Sequence, residues 1–451
     1  MNESVMDVAE FKRVLEIGLG RAILHLQTHD AAPYRDAILE ACLHDTRYDR
    51  QAEGPRNDYL FQTITLAGFR DAFREPLLEA LRNAPEPDDY DTYQVNGLVC
   101  RYAEQGDSEA RQLVYDHFVA HLTSDEWGDQ VRADNLIRLD GVEDFLFAVE
   151  RFGERLPEAR ECDPPYWFSG PEDKWDEDEH AFWDAAVQRA ASNPALAAYV
   201  EYEQARRARW EANRNTRKPW RMCSYEKLKP RITARTSEVY LRTWGKCANE
   251  AELEHAATDF LALPPDTDLV LLRKWLSIFQ KRRFPLDPQR LIDMVNQRPD
   301  DPVSEDDGYC YTPHTRLTIT AIDALGNVSH PAVRALALEL LNTRQWIKFS
   351  PILLKANWQT GDWALLETLT RERIEPDEYH GLGIDVRNIF KAHPEPEAAP
   401  ALRNLYEYNT CSFCRESAVL ALDSIQAVPE WMRAECRYDA NDELREWATS
   451  S

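Results

Sequence analysis

Apolar residues recur three and four positions apart along most of this chain, the spacing that gathers them on one side of an α-helix. The stretch from Tyr34 to Leu43 puts Ile38, Leu39, Cys42 and Leu43 on one face. Pro76-Leu77-Leu78-Glu79-Ala80-Leu81 repeats the pattern, and Ser108-Glu109-Ala110-Arg111-Gln112-Leu113-Val114 follows after a comparable interval. Proline is accommodated in a first helical turn, where its missing N–H has no intrahelical partner to lose, so Pro76 is expected there. An interval of roughly forty residues suits two-helix units, whose apolar faces only a neighbouring unit can cover.

The clearest repetition lies near the C-terminal end. Pro331-Ala332-Val333-Arg334, Ser412-Phe413-Cys414-Arg415 and Asp442-Glu443-Leu444-Arg445 each precede small and larger apolar residues at helical spacing. Each follows a short stretch rich in Asp, Asn, Ser or Pro, so each predicts the opening of a helix. The middle of the chain breaks the rhythm. Prolines and a glycine from Cys162 to Pro171 disfavour continuous helix, and an acidic run at Glu172, Asp173, Asp176, Glu177, Asp178 and Glu179 follows. A helix through Phe182, Trp183, Ala186 and Val187 is expected to break or kink at Pro194 and resume through Leu196, Tyr199 and Val200. From Arg206 to Arg231 the charge inverts. Three regions result: N-terminal helical repeats over 1–157, an irregular acidic-then-basic segment over 158–236, and C-terminal repeats over 237–451. The Asp- and Pro-rich stretch from Pro299 to Gly308 is expected to be the longest loop of the last region.

Composition narrows the class. The chain has 451 residues, 43% hydrophobic and 10% aromatic, which is ample for a packed core and argues against global disorder. Only 16 glycines are present, and runs of Val, Ile and Thr are few, so a sheet-rich fold with recurring tight hairpins is disfavoured. The formal charge of -26 opposes wholesale wrapping of nucleic acid and favours a basic partner, although carboxylates also simply solvate a surface. The start has no basic n-region, and the apolar stretch from Ile17 to Leu26 is interrupted by Arg21 and His25, so no signal peptide is read there. No apolar run is long enough to span a bilayer. Nine scattered cysteines suit a reducing compartment, and a cytoplasmic location is expected.

The apolar-arginine phrases at Val333-Arg334, Cys414-Arg415 and Leu444-Arg445 resemble those of HEAT-like repeats, with looser matches at Ala110-Arg111 and Val386-Arg387. The resemblance implies an all-α fold, an α-solenoid of helical hairpins in which the apolar residue packs between helices and the arginine joins polar contacts between repeats. It also implies a scaffold, adaptor or regulatory subunit. Some similar proteins, the alkylpurine DNA glycosylases, are enzymes, so the architecture alone leaves function open.

Candidate chemistry is sparse. Cys411-Ser412-Phe413-Cys414 has the spacing that can place two thiolates on one zinc ion, with Cys436, Cys310 or His314 as possible further donors. Aligning the repeats puts Cys414 where Val333 and Leu444 sit, so a buried reduced thiol accounts for it without metal. His117 and His121 share a helical face but lack an HExxH glutamate and a third donor, and are read as ordinary residues of a partly exposed helix surface. Gly18-Leu19-Gly20 and Gly381-Leu382-Gly383 lack the third glycine and the GK[ST] ending of a phosphate loop, and are read as helix ends or close helix contacts. No catalytic residue, cofactor site or metal site is assigned.

The binding candidate is the basic strip of Arg206, Arg207, Arg209, Trp210, Arg214, Arg217, Lys218, Trp220, Arg221, Lys227 and Lys229. Aromatic rings beside guanidinium groups can stack a base while cations hold phosphates. The same strip can instead pair with carboxylates of its own chain, and that reading is preferred. The sequence thus predicts a non-catalytic cytoplasmic scaffold, adaptor or regulatory subunit whose partner is another protein, a basic one being favoured by the charge, with no membrane partner. The alternative is a nucleic-acid-binding or nucleic-acid-processing protein using residues 206–231.

Overall fold

The computed structural model describes residues 5–84, 89–122, 126–156, 168, 176–216, 223–300, 302 and 311–450. Among them are 24 α-helices and no β-strand, the all-α fold that the helical periodicity predicts. The segment from Cys162 to Pro171, apart from Phe168, and most of the Pro299–Gly308 stretch fall outside the described residues.

The recurring phrases open helices as the pattern requires. Pro331–Thr343, Ser412–Ser424 and Asp442–Ser450 begin at the expected residues, and Val333, Cys414 and Leu444 are all buried. Two of the three starts share a detailed local geometry. The Asn409 side chain accepts the Cys411 N–H at 3.0 Å while the Asn409 carbonyl accepts from the Arg415 guanidinium at 3.3 Å. Asp439 treats Asn441 and Arg445 the same way, at 2.9 and 2.6 Å. A short polar side chain thus turns the backbone into each helix, and the arginine one and a half turns on ties that turn down.

The other arginines reach further. Arg334 makes a two-pronged ion pair with Asp362, at 2.8 and 2.9 Å, on the next helix, Asp362–Arg371, and also donates to the Asn357 carbonyl. Arg387 donates to Ser417 on the helix Ser412–Ser424, at 3.4 Å. Because Arg334 and Asp362 are largely shielded from water, Asp362→Ala is expected to cost about 3 kcal/mol, most of it from the stranded guanidinium. Urea denaturation of the variant against the parent checks this.

Pro194 starts the helix Pro194–Thr216, and Glu177–Ala190 ends before it, so the break occurs as predicted. Asp176 and Glu179 from the acidic run form a reciprocal capping box at the start of Glu177–Ala190. Pro76 differs from expectation: it lies inside the helix Arg70–Arg82 rather than in its first turn. Phe73, Leu77, Leu78 and Leu81 make one buried stripe across it, and their burial outweighs the backbone hydrogen bond that Pro76 cannot donate.

The chain divides into two compact units. The first comprises Met1–Asn215 together with Pro429–Ser451, and the second Thr216–Val428. In the first, Asn57–Leu66 packs on Tyr90–Glu104, which packs in turn on Ser108–Ala120 and Glu126–Asp140. The last two helices, Glu430–Cys436 and Asp442–Ser450, belong to this unit although they end the chain. Arg21 holds the buried Glu435 at 2.7 and 3.2 Å, and the Ala440 N–H donates to the Gly18 carbonyl at 2.8 Å. Gly18 has φ +84°, and a Cβ on Gly20 would lie 1.9 Å from the Glu435 carbonyl oxygen. The Gly18-Leu19-Gly20 pair is therefore a helix end and a close contact.

In the second unit Glu238–Cys247 packs on Leu269–Ser277, which packs on Pro313–Leu325. Further along, Asp362–Arg371 packs on Ala399–Tyr408, and Pro376–Ala392 on Ser412–Ser424. Helices of this unit therefore pack on the next but one along the chain. Trp244 and Trp363 are among the largest fully buried side chains here. Gly381 and Gly383 again mark close approach, to the Lys348 carbonyl and the Asn409 amide. Among the described residues no helix is long and apolar enough to cross a membrane.

Candidate functional site

The basic strip is shared between the two units rather than gathered in one. Arg206, Arg207, Arg209, Trp210 and Arg214 lie on the helix Pro194–Thr216. Arg206 pairs with Glu203 at 2.5 and 2.9 Å and donates to the Phe168 carbonyl, while Arg207 sits 5.5 Å over the Trp183 ring. Arg209 and Trp210 are exposed. Arg217, Lys218, Trp220 and Arg221 lie outside the described residues. Lys227 is exposed on the short helix Tyr225–Leu228, and Lys229 pairs with Asp259 at 2.8 Å.

A different set of basic residues does converge, inside the first unit. A cavity of about 330 Å³ is lined by Arg47, Arg50, Glu53, Arg56, Asn57, Tyr93, Gln94, Asp134, Asn135 and Arg138, among others. Its volume falls at the small end of the range for ligand sites, about 300–1,000 Å³. The loop before the helix Asn57–Leu66 supplies most of one wall, and the helices Tyr90–Glu104 and Glu126–Asp140 supply the rest.

The walls are held rigidly. Arg47 is locked onto the buried Asp45 by contacts of 2.6 to 2.9 Å and donates to the Glu53 carbonyl. Arg56 is buried, pairs with Glu53 at 3.3 Å and donates to the Glu16 carbonyl. Gln94 spends its amide hydrogens on the carbonyls of Ala41, Cys42 and His44, closing the end of the helix Arg35–Leu43. Arg138 stands at the rim, 3.4 Å from Glu104 and 3.6 Å from Asp58. Arg50 is exposed, stacks 5.8 Å over Tyr90 and has no carboxylate within ion-pair range among the described residues. At the base Asn57 is 7% exposed, and its side-chain oxygen has no hydrogen-bond partner among the described residues. A Cβ on Gly97 would come within 1.8 Å of the Asn57 amide nitrogen, so only glycine lets that amide lie where it does.

Behind the cavity, Asn135 donates to Asn96 at 2.7 Å, and the Asn96 amide contacts the Nδ1 of His117 at 3.4 Å. His117 is thus buried and engaged by a polar chain, whereas the sequence placed it on a partly exposed surface. Its ring lies 4.6 Å from that of His121.

The second unit holds a thiol-imidazole cluster. Cys411 caps the helix Ser412–Ser424 and Cys414 is its third residue, so the CxxC spacing brings both sulfurs to one helix start. His380, on Pro376–Ala392, completes a set of three donor atoms that all lie within 4.8 Å of one another. Its Nδ1 is 3.5 Å from the Cys414 sulfur. Both cysteines are buried and unbridged. Hydrogen bonding with Cys411, followed by burial, pushes the Cys414 thiol well above its ordinary range, while Arg387 and Arg415 pull the other way. Of the further donors suggested by the sequence, Cys310 lies outside the described residues, His314 is not in the cluster, and Cys436 is buried in the first unit. His380 carries no local motif and could not be found from sequence.

The fold and these two sites define an all-helical, two-unit chain with an arginine-lined cavity in one unit and a thiol-imidazole cluster in the other. No protein-family model matches the chain, and no curated protein matches it.

Proposed function

We propose that the chain is a non-catalytic scaffold or adaptor of HEAT-like helical repeats, stacked as a solenoid, that binds a carboxylate-bearing segment of another protein in the first unit's cavity. The packing of helices on their next-but-one neighbours, and the shared turn geometry at Asn409 and Asp439, support a repeated unit.

The observation that carries the binding role is the cavity's charge. Four arginines line it, three of them beside carboxylates and Arg50 with none in ion-pair range among the described residues, in a chain whose net charge is -26. A locally cationic pocket in an acidic protein selects for an anionic group at short range, while the overall charge selects for a basic partner at long range. A basic or neutral protein presenting one or two carboxylates satisfies both. Arg50 and Arg138 supply the accessible guanidinium groups, and the unpaired Asn57 oxygen accepts a backbone N–H beside the carboxylate.

The test is an array of short peptides of mixed sequence, probed with the parent and with Arg50→Glu/Arg138→Glu, alongside a salt titration of single-stranded RNA and duplex DNA. Peptides bound by the parent are expected to share an Asp, Glu or free C-terminal carboxylate, and binding is expected to fall at least about tenfold in the variant. Salt-sensitive RNA or DNA binding, without peptide binding, would replace this reading with the nucleic-acid one. Peptide binding indifferent to the two substitutions would remove the cavity from it.

A further inference from the structure

The geometry points to a metal site in the second unit, in which Cys411, Cys414 and His380 bind a thiophilic divalent cation of the zinc type. The donor set is of the right chemistry: two sulfurs and one imidazole nitrogen suit a borderline-soft d10 ion and are poor for magnesium or calcium. The spacing also fits. Tetrahedral bonds of about 2.3 Å to sulfur and about 2.0–2.1 Å to nitrogen imply a sulfur–nitrogen edge of about 3.5 Å. The Cys414 sulfur and the His380 Nδ1 stand 3.5 Å apart.

Several features of the surroundings favour this arrangement. The helix Ser412–Ser424 starts at the pair, so its first N–H groups stabilise thiolates. The helix carrying His380 approaches closely because residue 383 is glycine; a Cβ there would lie 2.7 Å from the Asn409 amide nitrogen and 3.9 Å from the Cys414 Cβ. Next to Cys411, the Thr410 hydroxyl oxygen and the Asn409 amide nitrogen are buried without a hydrogen-bond partner among the described residues. Buried polar atoms left unpaired are costly, and a bound ion with its water would engage such groups.

Binding displaces one proton from each thiol to solvent, leaving two metal-bound thiolates, a neutral imidazole and a net neutral core. Arg387 and Arg415 favour the charge on Cys414 but do not overcome the Cys411 hydrogen bond and the burial that oppose it, so the thiols give up their protons only as the cation binds. Three protein donors leave a fourth coordination position for an exchangeable ligand, as in sites that are not closed structural knots.

The experiment uses the full chain, reduced and stripped of metal by a chelator, then titrated with Co2+ and subsequently with Zn2+. One Co2+ per chain is expected, with an intense thiolate-to-metal charge-transfer band in the near ultraviolet that one equivalent of Zn2+ abolishes. Cys411→Ser and Cys414→Ser should each lose the band, and Cys247→Ser, an exposed cysteine of the same unit, should keep it. His380→Ala should weaken Co2+ binding at least about tenfold, and His380→Cys should restore it with a stronger charge-transfer band. Because His380→Cys keeps a ligand, its success separates ligation from mere structural damage. No stoichiometric Co2+ in the parent, or a band unchanged by Cys411→Ser and Cys414→Ser, overturns the assignment.

Discussion

Replacing Gly20 with alanine is expected to destabilise the first unit by about 3 kcal/mol or more, the upper end of what overpacking costs. The added Cβ would sit 1.9 Å from the Glu435 carbonyl oxygen and 2.8 Å from the Tyr438 carbonyl carbon. Both are backbone atoms, so no side-chain rotation relieves the clash. The helix Glu430–Cys436 must move, and with it the Arg21–Glu435 ion pair, which leaves a nearly fully buried carboxylate without its guanidinium. Gly54→Ala serves as the control, because a Cβ there meets nothing within 4 Å; its effect should stay within about 0.5 kcal/mol. Urea denaturation, together with amide hydrogen exchange across residues 430–450, reads both. A Gly20→Ala protein as stable and as protected as the parent would show that the C-terminal helices do not depend on this contact.

The second large effect concerns pH. Asp385 is buried on the helix Pro376–Ala392, where its carboxyl accepts the Ile352 N–H at 3.0 Å. Burial pushes its pKa well above the ordinary carboxylate value, and the neighbouring Asp323 pushes it further; the Ile352 hydrogen bond and Lys355 oppose them without prevailing. Asp323 is itself raised, again chiefly by burial, although Gln280 donates to it at 2.8 Å. A carboxyl raised in the fold contributes its full stability at pH below its unfolded value, about 3.9. That contribution is lost as pH rises, because the unfolded chain gives up a proton that the folded chain retains.

Asp385→Asn keeps an oxygen for the Ile352 N–H and removes the charge. The variant should therefore be more stable than the parent at pH 7 by about 1–3 kcal/mol, the scale of an uncompensated buried polar group, with the difference shrinking towards pH 4. Thermal melts across that range measure it. A variant less stable than the parent at pH 7, or one whose stability follows pH as steeply, would assign the slope to other groups.

How much of this was legible beforehand depends on the range of the interaction. Helix starts at Pro331, Ser412 and Asp442 follow from neighbours in sequence, since capping and turn chemistry act over a few residues. The two thiols of Cys411 and Cys414 were visible for the same reason, as were the paired glycines at 18–20 and 381–383. His380 was not, because it lies 31 residues before Cys411 with nothing in its own stretch to mark it. The cavity arginines were invisible too: Arg47, Arg50 and Arg56 are a loose cluster near one end of the chain, and Arg138 comes from a helix far along it. The strip over 206–231 is legible because its charges are adjacent in sequence, yet the described part of it is divided between two units.

The sequence by itself determined the all-α fold, the places where several helices begin, and the burial of the apolar residues in the recurring phrase. These follow from local sterics and from a 3.6-residue period that admits one burial pattern. Only the tertiary structure decided that residues 429–451 join the N-terminal helices, that Gly97 makes room for Asn57, and that an imidazole stands beside two thiols. Those outcomes rest on close packing between segments distant in sequence, where a single Cβ or a single carbonyl decides which surfaces can meet.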